Sequence, residues 1–252
     1  MAATLPPVHS DTIQTDLKQR ISAQPQVQIR THPKKVIVMG DSLVYGYGDS
    51  EGGGWVERLR RDYLDPQQTG PIFYNLGIRG NGVAQVAERL QREFCDRGEL
   101  RHRTPDLLVL SVGVNDCARA GRVNGRPVSD PDSFAQSLEQ LLTQSRQLCP
   151  VLFIGMVPIN EAAMPFANVL YFSRTEQQRY SQITRQLCEA HQIPYLDLFE
   201  RWSQKSEAWQ CDRLCTDGIH PNSLGYRTIL ETVKAWQPFV QELDSFHPVH
   251  SF

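Results

Sequence analysis

Long apolar runs are missing from this sequence. No stretch approaches the ~18 uninterrupted apolar residues that a membrane-spanning helix needs, which excludes a helical membrane span. A charge excess of either sign is missing too. Lys and Arg number 26 against 28 Asp and Glu, a net charge of −2, so no electrostatic ground exists for binding nucleic acid or an anionic membrane. Met1 to Gln14 hold no basic stretch followed by an apolar one, so no secretory leader is read and a cytoplasmic location is expected. Of the six cysteines only Cys211 and Cys215 are closely spaced. A lone C-x₃-C without a second ligand pair does not make a zinc site. The thiols are expected to be reduced and mostly small core residues, with no metal and no cofactor. Repeats and low-complexity tracts are absent as well.

What remains is an ordinary globular composition, 40% hydrophobic and 21% charged over 252 residues, enough for one good-sized core. Residues 1–33 are polar and carry Pro6, Pro7, Pro25 and Pro33. Ile13, Leu17 and Ile21 recur at helical spacing there, so a short helix from Ser10 to Ser22 in an N-terminal extension is expected. Residues 34–240 form the expected domain and 241–252 a tail.

Within the domain, five short apolar runs alternate with amphipathic stretches. The runs are Val36–Met39, Ile72–Tyr74, Leu107–Val112, Val151–Val157 and Pro194–Leu198. They lack polar alternation, which suits strands covered by helices on both faces. The intervening stretches are Trp55–Tyr63, Val83–Cys95, Ser133–Leu148, Thr175–His191 and Ser223–Trp236. In the second, Val83, Val86, Ala87, Leu90 and Phe94 form a stripe at three- and four-residue steps. Asp132 or Ser133 is expected to cap the third helix, and Asn222 or Ser223 the last. Such alternation predicts an α/β fold with a parallel sheet.

Ligands of open α/β sheets bind beyond the carboxyl ends of the strands, so the following loops carry the chemistry. They read Gly40-Asp41-Ser42-Leu43 after the first strand and Asn75-Leu76-Gly77-Ile78-Arg79-Gly80 after the second. Gly113-Val114-Asn115-Asp116 follows the third, and Asp217-Gly218-Ile219-His220-Pro221 precedes the last helix. Ser42 is the serine that directly follows a strand at a glycine-led turn. A serine hydroxyl needs a neighbouring base, and the base an orienting group. Asp217 and His220, three apart in a tight loop, can supply both. Developing negative charge on a carbonyl oxygen needs fixed donors. The candidates are the N–H groups of Ser42 and Gly80 and the side-chain amide of Asn115. Asp41 and Asp116 are read as braces of their turns.

The four loops together resemble the GDSL-type esterases, the SGNH hydrolase family, with GDSL at 40–43, glycine at 80, GxND at 113–116 and DxxHP at 217–221 in that family's order. The resemblance spans residues 36–236. It implies a five-stranded parallel sheet in a three-layer α/β/α, flavodoxin-like fold, with Ser42, Gly80, Asn115 and His220 in the signature roles and Asp217 completing a triad. It also implies ester hydrolysis, that is, a small-molecule partner, over a range of substrates the fold does not choose among. Small acyl esters are expected because no long apolar insertion is present to line a deep lipid tunnel. Thioesterase or carbohydrate acetylesterase activity on the same triad, or a catalytically silent ligand-binding protein, are the alternatives. Gly40 to Gly46 fits neither dinucleotide nor phosphate-loop patterns, which argues against nucleotide binding.

Around this centre, Arg79 and Arg119 flank the two oxyanion loops and either could receive an anionic substrate group. Met164 and Phe166, in the apolar stretch Glu161–Phe172, are candidates for a wall or lid of an acyl pocket. Cys117 is read as a buried small hydrophobe. Oligomeric state is not legible.

Overall fold

A computed structural model of the chain describes residues 33–67, 70–97 and 104–244. The expected helix from Ser10 to Ser22, nearly all of the 1–33 extension and the end of the tail lie outside the described residues. All described residues fall within one compact unit, His32–His247.

Strand β1, Lys35–Gly40, is buried throughout and runs into a four-residue helix, α1, Ser42–Tyr45. Helix α2, Gly54–Arg61, leads to β2, Ile72–Gly77. Helix α3, Val83–Asp96, leads to β3, Leu107–Ser111. Then come the short strand β4, Arg119–Ala120, helix α4, Pro131–Leu148, and strand β5, Val151–Ile154. A 3₁₀ turn, Glu161–Ala163, precedes β6, Leu170–Tyr171, and helix α5, Arg174–Ala190. Strand β7, Tyr195–Leu196, is followed by the short helices α6, Leu198–Ser203, and α7, Glu207–Cys211. Helices α8, Ser223–Lys234, and α9, Gln237–Asp244, complete the described fold, and α9 crosses the expected 240/241 boundary.

Five strands form one sheet in the order β2-β1-β3-β5-β7, and every neighbouring pair is parallel. The apolar runs explain the order. The interior strands β1, β3 and β5 are buried at every residue, whereas β2, on an edge, buries only Phe73 and Leu76 and leaves its other residues half-buried. Helices pack in two groups, α2 with α8 and α9, and α3 with α4 and α5. These are the outer layers of the expected three-layer α/β/α sandwich. Among the described residues no helix is long and apolar enough to cross a membrane.

Element ends shift from expectation in places. The third helix is capped by Asp130, whose carboxylate accepts from the backbone N–H groups of Asp132 and Ser133, with Pro131 in the first turn. Asp132 and Ser133 are therefore inside the helix, because proline fits a first helical position and pushes the cap one residue before it. At α8 the cap is Asn222, as expected, accepting from Leu224 and Gly225. A second, two-stranded sheet of β4 and β6 was not foreseen.

Candidate active site

Chain direction places the site. From β1 the chain moves outward to β2 and then returns across β1 to β3, so the loops leaving β1 and β3 diverge and open a crevice at their carboxyl ends. Ser42 leaves β1 and Asn115 leaves β3 at that point.

Ser42 is the first residue of α1, after Asp41 as N-cap, whose carboxylate accepts from Leu43 N–H at 2.9 Å. The Ser42 N–H thus belongs to the first helical turn, where no helical carbonyl claims it. Its Oγ lies 2.8 Å from Nε2 of His220, and Nδ1 of His220 lies 2.7 Å from Oδ2 of Asp217. Both Ser42 and His220 are buried, at 3% and 5% exposure. Asp217 also accepts from the backbone N–H groups of Ile219 and His220 through Oδ1, at 2.9 and 3.0 Å. Its turn-bracing and imidazole-orienting contacts therefore use separate oxygens. Burial pushes the Asp217 carboxyl up, but the donors from the His220 ring and from the two backbone groups outweigh it, and its pKa ends below the usual value. An ionised carboxylate only accepts, so Nδ1 carries the ring proton and Nε2 is left to accept from the serine hydroxyl.

The oxyanion candidates are tied to one another. The Asn115 amide donates to the Asn81 carbonyl at 3.0 Å, which leaves its second N–H to aim elsewhere. Gly80 has φ of +80°, and a Cβ there would meet nothing within 4 Å, so glycine is demanded by backbone conformation and the loop faces open space. Gly77, the other glycine of that loop, ends β2 against α1, where a Cβ would sit 2.1 Å from Tyr45 N. Its role is close packing under the turn that carries Ser42. Asp116 accepts from Val83 N–H at 3.1 Å through Oδ2, capping α3 from outside because the N-cap residue, Gly82, has no side chain to do so. Burial raises Asp116 to about 6 and Asp41 to about 7, the latter also feeling the Asp116 charge. Both are braces, as read from the sequence.

The surrounding candidates separate. The Phe166 ring lies 5.8 Å from the His220 ring, so this part of the apolar stretch reaches the site. Met164 turns its sulfur to the Phe172 N–H at 3.4 Å, holding the loop on itself. Arg79 stacks on Tyr47, its guanidinium carbon 3.7 Å from the ring centroid. Arg119 is taken: it donates to the Gly125 carbonyl and to Glu176, at 3.0 and 3.2 Å. Cys117 is 1% exposed, and burial drives its thiol pKa far up, as suits a core residue. All six cysteines are free thiols, and the described residues contain no His/Cys/Asp/Glu group able to hold a metal.

Three residues at the site went unread in the sequence. Tyr47 meets the His220 ring edge-on, centroids 4.6 Å apart. The alternation Tyr45-Gly46-Tyr47-Gly48 directly past the Ser42 turn was its available signal. Tyr226, buried on α8, donates to the Tyr47 carbonyl at 2.9 Å and to that of Ser42 at 3.4 Å. Arg89, on α3, donates to the Gly40 carbonyl and to Asn81 Oδ1, each at 2.9 Å.

Comparison with known proteins bears on the family and the fold. A relative, the protein YpmR of Bacillus subtilis (strain 168), is 20% identical over 208 residues, 79% of each chain. Among solved structures, a lipase/acylhydrolase from Enterococcus faecalis superposes with a TM-score of 0.62 at 20% identity, covering 79% of this chain and 93% of its own. A catalytic mutant of Axe2, an acetylxylan esterase from Geobacillus stearothermophilus, gives 0.59 at 16% identity, covering 86% and 96%. The esterase EstA from Pseudoalteromonas sp. gives 0.59 at 18%, covering 82% and 99%. At such identities these structures establish a shared fold. A family model, by contrast, matches residues 38–228, a span that begins in β1 and runs past His220 into α8. With most of its length matched, this chain belongs to the GDSL-like Lipase/Acylhydrolase family.

Proposed function

We propose that this chain is a serine esterase that hydrolyses small acyl esters through an acyl-enzyme on Ser42. The observation that carries the reading is the unbroken chain of contacts from Asp217 through His220 to Ser42, at 2.7 and 2.8 Å. Ser42 Oγ adds to the ester carbonyl carbon while its proton passes to His220 Nε2. The negative oxygen that results is held by the N–H groups of Ser42 and Gly80 and by the free amide hydrogen of Asn115. The bond to the alcohol then breaks, and the alcohol leaves with the proton from Nε2. Water adds to the acyl-enzyme with His220 again taking a proton, and Ser42 regains that proton as the carboxylic acid departs. Asp217 stays ionised throughout and orients the ring.

Small acyl groups are favoured because no long apolar insertion is available to line a deep lipid tunnel, and Phe166 stands close beside the imidazole. A fluorophosphonate probe is expected to label the protein, and Ser42→Ala to abolish labelling and lower kcat by about 10⁴-fold or more. An unlabelled wild-type protein, inactive on p-nitrophenyl acetate through octanoate, would overturn the reading. Because one structural neighbour is named an acetylxylan esterase, an acetylated sugar belongs in the same panel, beside an acyl-CoA.

A further inference from the structure

The second loop carries a cation that pairs with no carboxylate among the described residues. Arg79 is exposed between β2 and Gly80, and it lies over the face of Tyr47, whose edge in turn touches the His220 ring. The guanidinium is thus one ring removed from the imidazole. Other arginines near the site are occupied: Arg58 pairs with Asp49, Arg89 with Gly40 and Asn81, Arg119 with Glu176, and Arg174 donates to the Ile159 carbonyl. Among the described residues no carboxylate lies within ion-pair distance of Arg79.

Stacking changes what such a side chain can do. The ring fixes the guanidinium plane, so less rotamer entropy is lost when it binds something, while its N–H fork keeps its donors at the periphery. A planar fork of this kind matches the two oxygens of a carboxylate or phosphate. Tyr47 contacts both the guanidinium and the His220 ring, so a group bound to the fork would lie about one ring's width from the triad.

We propose that Arg79, seated on Tyr47, forms an anion subsite of the ester site, and that preferred substrates carry a carboxylate or phosphate close to the scissile ester. The inference rests on the esterase reading above and adds the substrate's charge to it. Because Arg79 is exposed, the preference weakens with salt as the Debye length shortens.

Two matched substrate pairs test it. 4-Acetoxybenzoate against its methyl ester places the charge on the alcohol side. The 4-methylumbelliferyl monoester of adipate against the hexanoate places it on the acyl side. In one pair or both, kcat/KM of the wild type is expected to favour the anion by about five- to tenfold at low salt. Arg79→Gln brings that ratio to about one, Arg79→Glu takes it below one, and Arg79→Lys, with charge but no fork, gives an intermediate value. A wild-type ratio near one in both pairs, or a ratio that Arg79→Gln leaves unmoved, overturns the subsite while the esterase reading stands. No hydrolysis of any of the four esters, together with no fluorophosphonate labelling of Ser42, overturns both.

Discussion

Arg89 ties together two of the loops that carry the candidate site. Its guanidinium reaches from α3 to Gly40, two residues ahead of Ser42, and to Asn81, whose carbonyl holds the Asn115 amide. The third nitrogen, Nη1, is buried with no hydrogen-bond partner and lies 3.8 Å from Glu93. Burial lowers the Arg89 pKa, with Glu93 opposing. Such a buried cation is expected to position the proposed oxyanion donors. Arg89→Ala should therefore lower kcat by roughly tenfold to a hundredfold, a part of what losing one donor outright costs, and change KM little. Added guanidinium ion should restore part of the rate. A fall in thermal stability with kcat intact would mean that Arg89 only braces the fold. None of this could be read from the sequence. Ser42, Gly80, Asn115, Asp217 and His220 each sit in a glycine-containing turn after or between regular elements, a local signature. Arg89 is one polar residue on an amphipathic helix, and its partners are 8 and 49 positions away.

At the scale of elements, a single buried carboxylate joins the two segments on which Ser42 and His220 ride. Asp49 accepts from the N–H groups of Gly52 and Gly54, from Arg58 through two nitrogens, and from the Ser223 hydroxyl at 2.7 Å. Ser223 opens α8, three residues past His220, so this contact links the stretch after α1 to the loop that presents the imidazole. Burial alone would raise the Asp49 pKa, yet the donors from Arg58, Ser223 and the two backbone groups hold it far below the usual range. Asp49→Ala removes both carboxylate bonds to Arg58, leaving it only Glu51 at 3.7 Å, and is expected to cost about 3 kcal/mol in urea denaturation. The amphipathic helices were legible because their apolar stripes report burial. Strand ends were less so. Val151–Val157 is almost continuously apolar and buried to its end, but β5 stops at Ile154 because β7 offers only Tyr195 and Leu196 to pair with. Hydropathy reads burial and is blind to where a ladder's partner runs out. Helices α6 and α7, at 6 and 5 residues, are too short to show a stripe at all.

For the molecule as a whole, the crevice over β1 and β3 has an electrostatic cost that sets how stability varies with pH. Two carboxyls lie beneath it, and burial raises Asp41 to about 7 and Asp116 to about 6, from an ordinary value of 3.8. A raised acid binds its proton more tightly in the folded state, so both groups are neutral and without effect below about pH 4. As pH climbs from there to about 7 the unfolded chain ionises them first, and stability falls until both states are charged. Asp49 and Asp217 act in the opposite direction. Their folded pKa values are depressed, so the stability they contribute is present above 3.8 and is lost as pH falls through the folded values. The two effects together put the maximum of these four groups' contribution near pH 4, between the two ranges. Asp41→Asn isolates the first. An amide oxygen can still accept from the Leu43 N–H that Asp41 now holds, so the cap survives while the ionisation is removed. Denaturant titrations from pH 4 to 8 are expected to show the variant gaining on the wild type as pH rises, on the order of 2 kcal/mol by pH 8, with the two close at pH 4. A variant destabilised by the same amount at every pH would mean that Asp41 is already ionised in the folded protein at low pH. The fall in stability above pH 4 would then need another source.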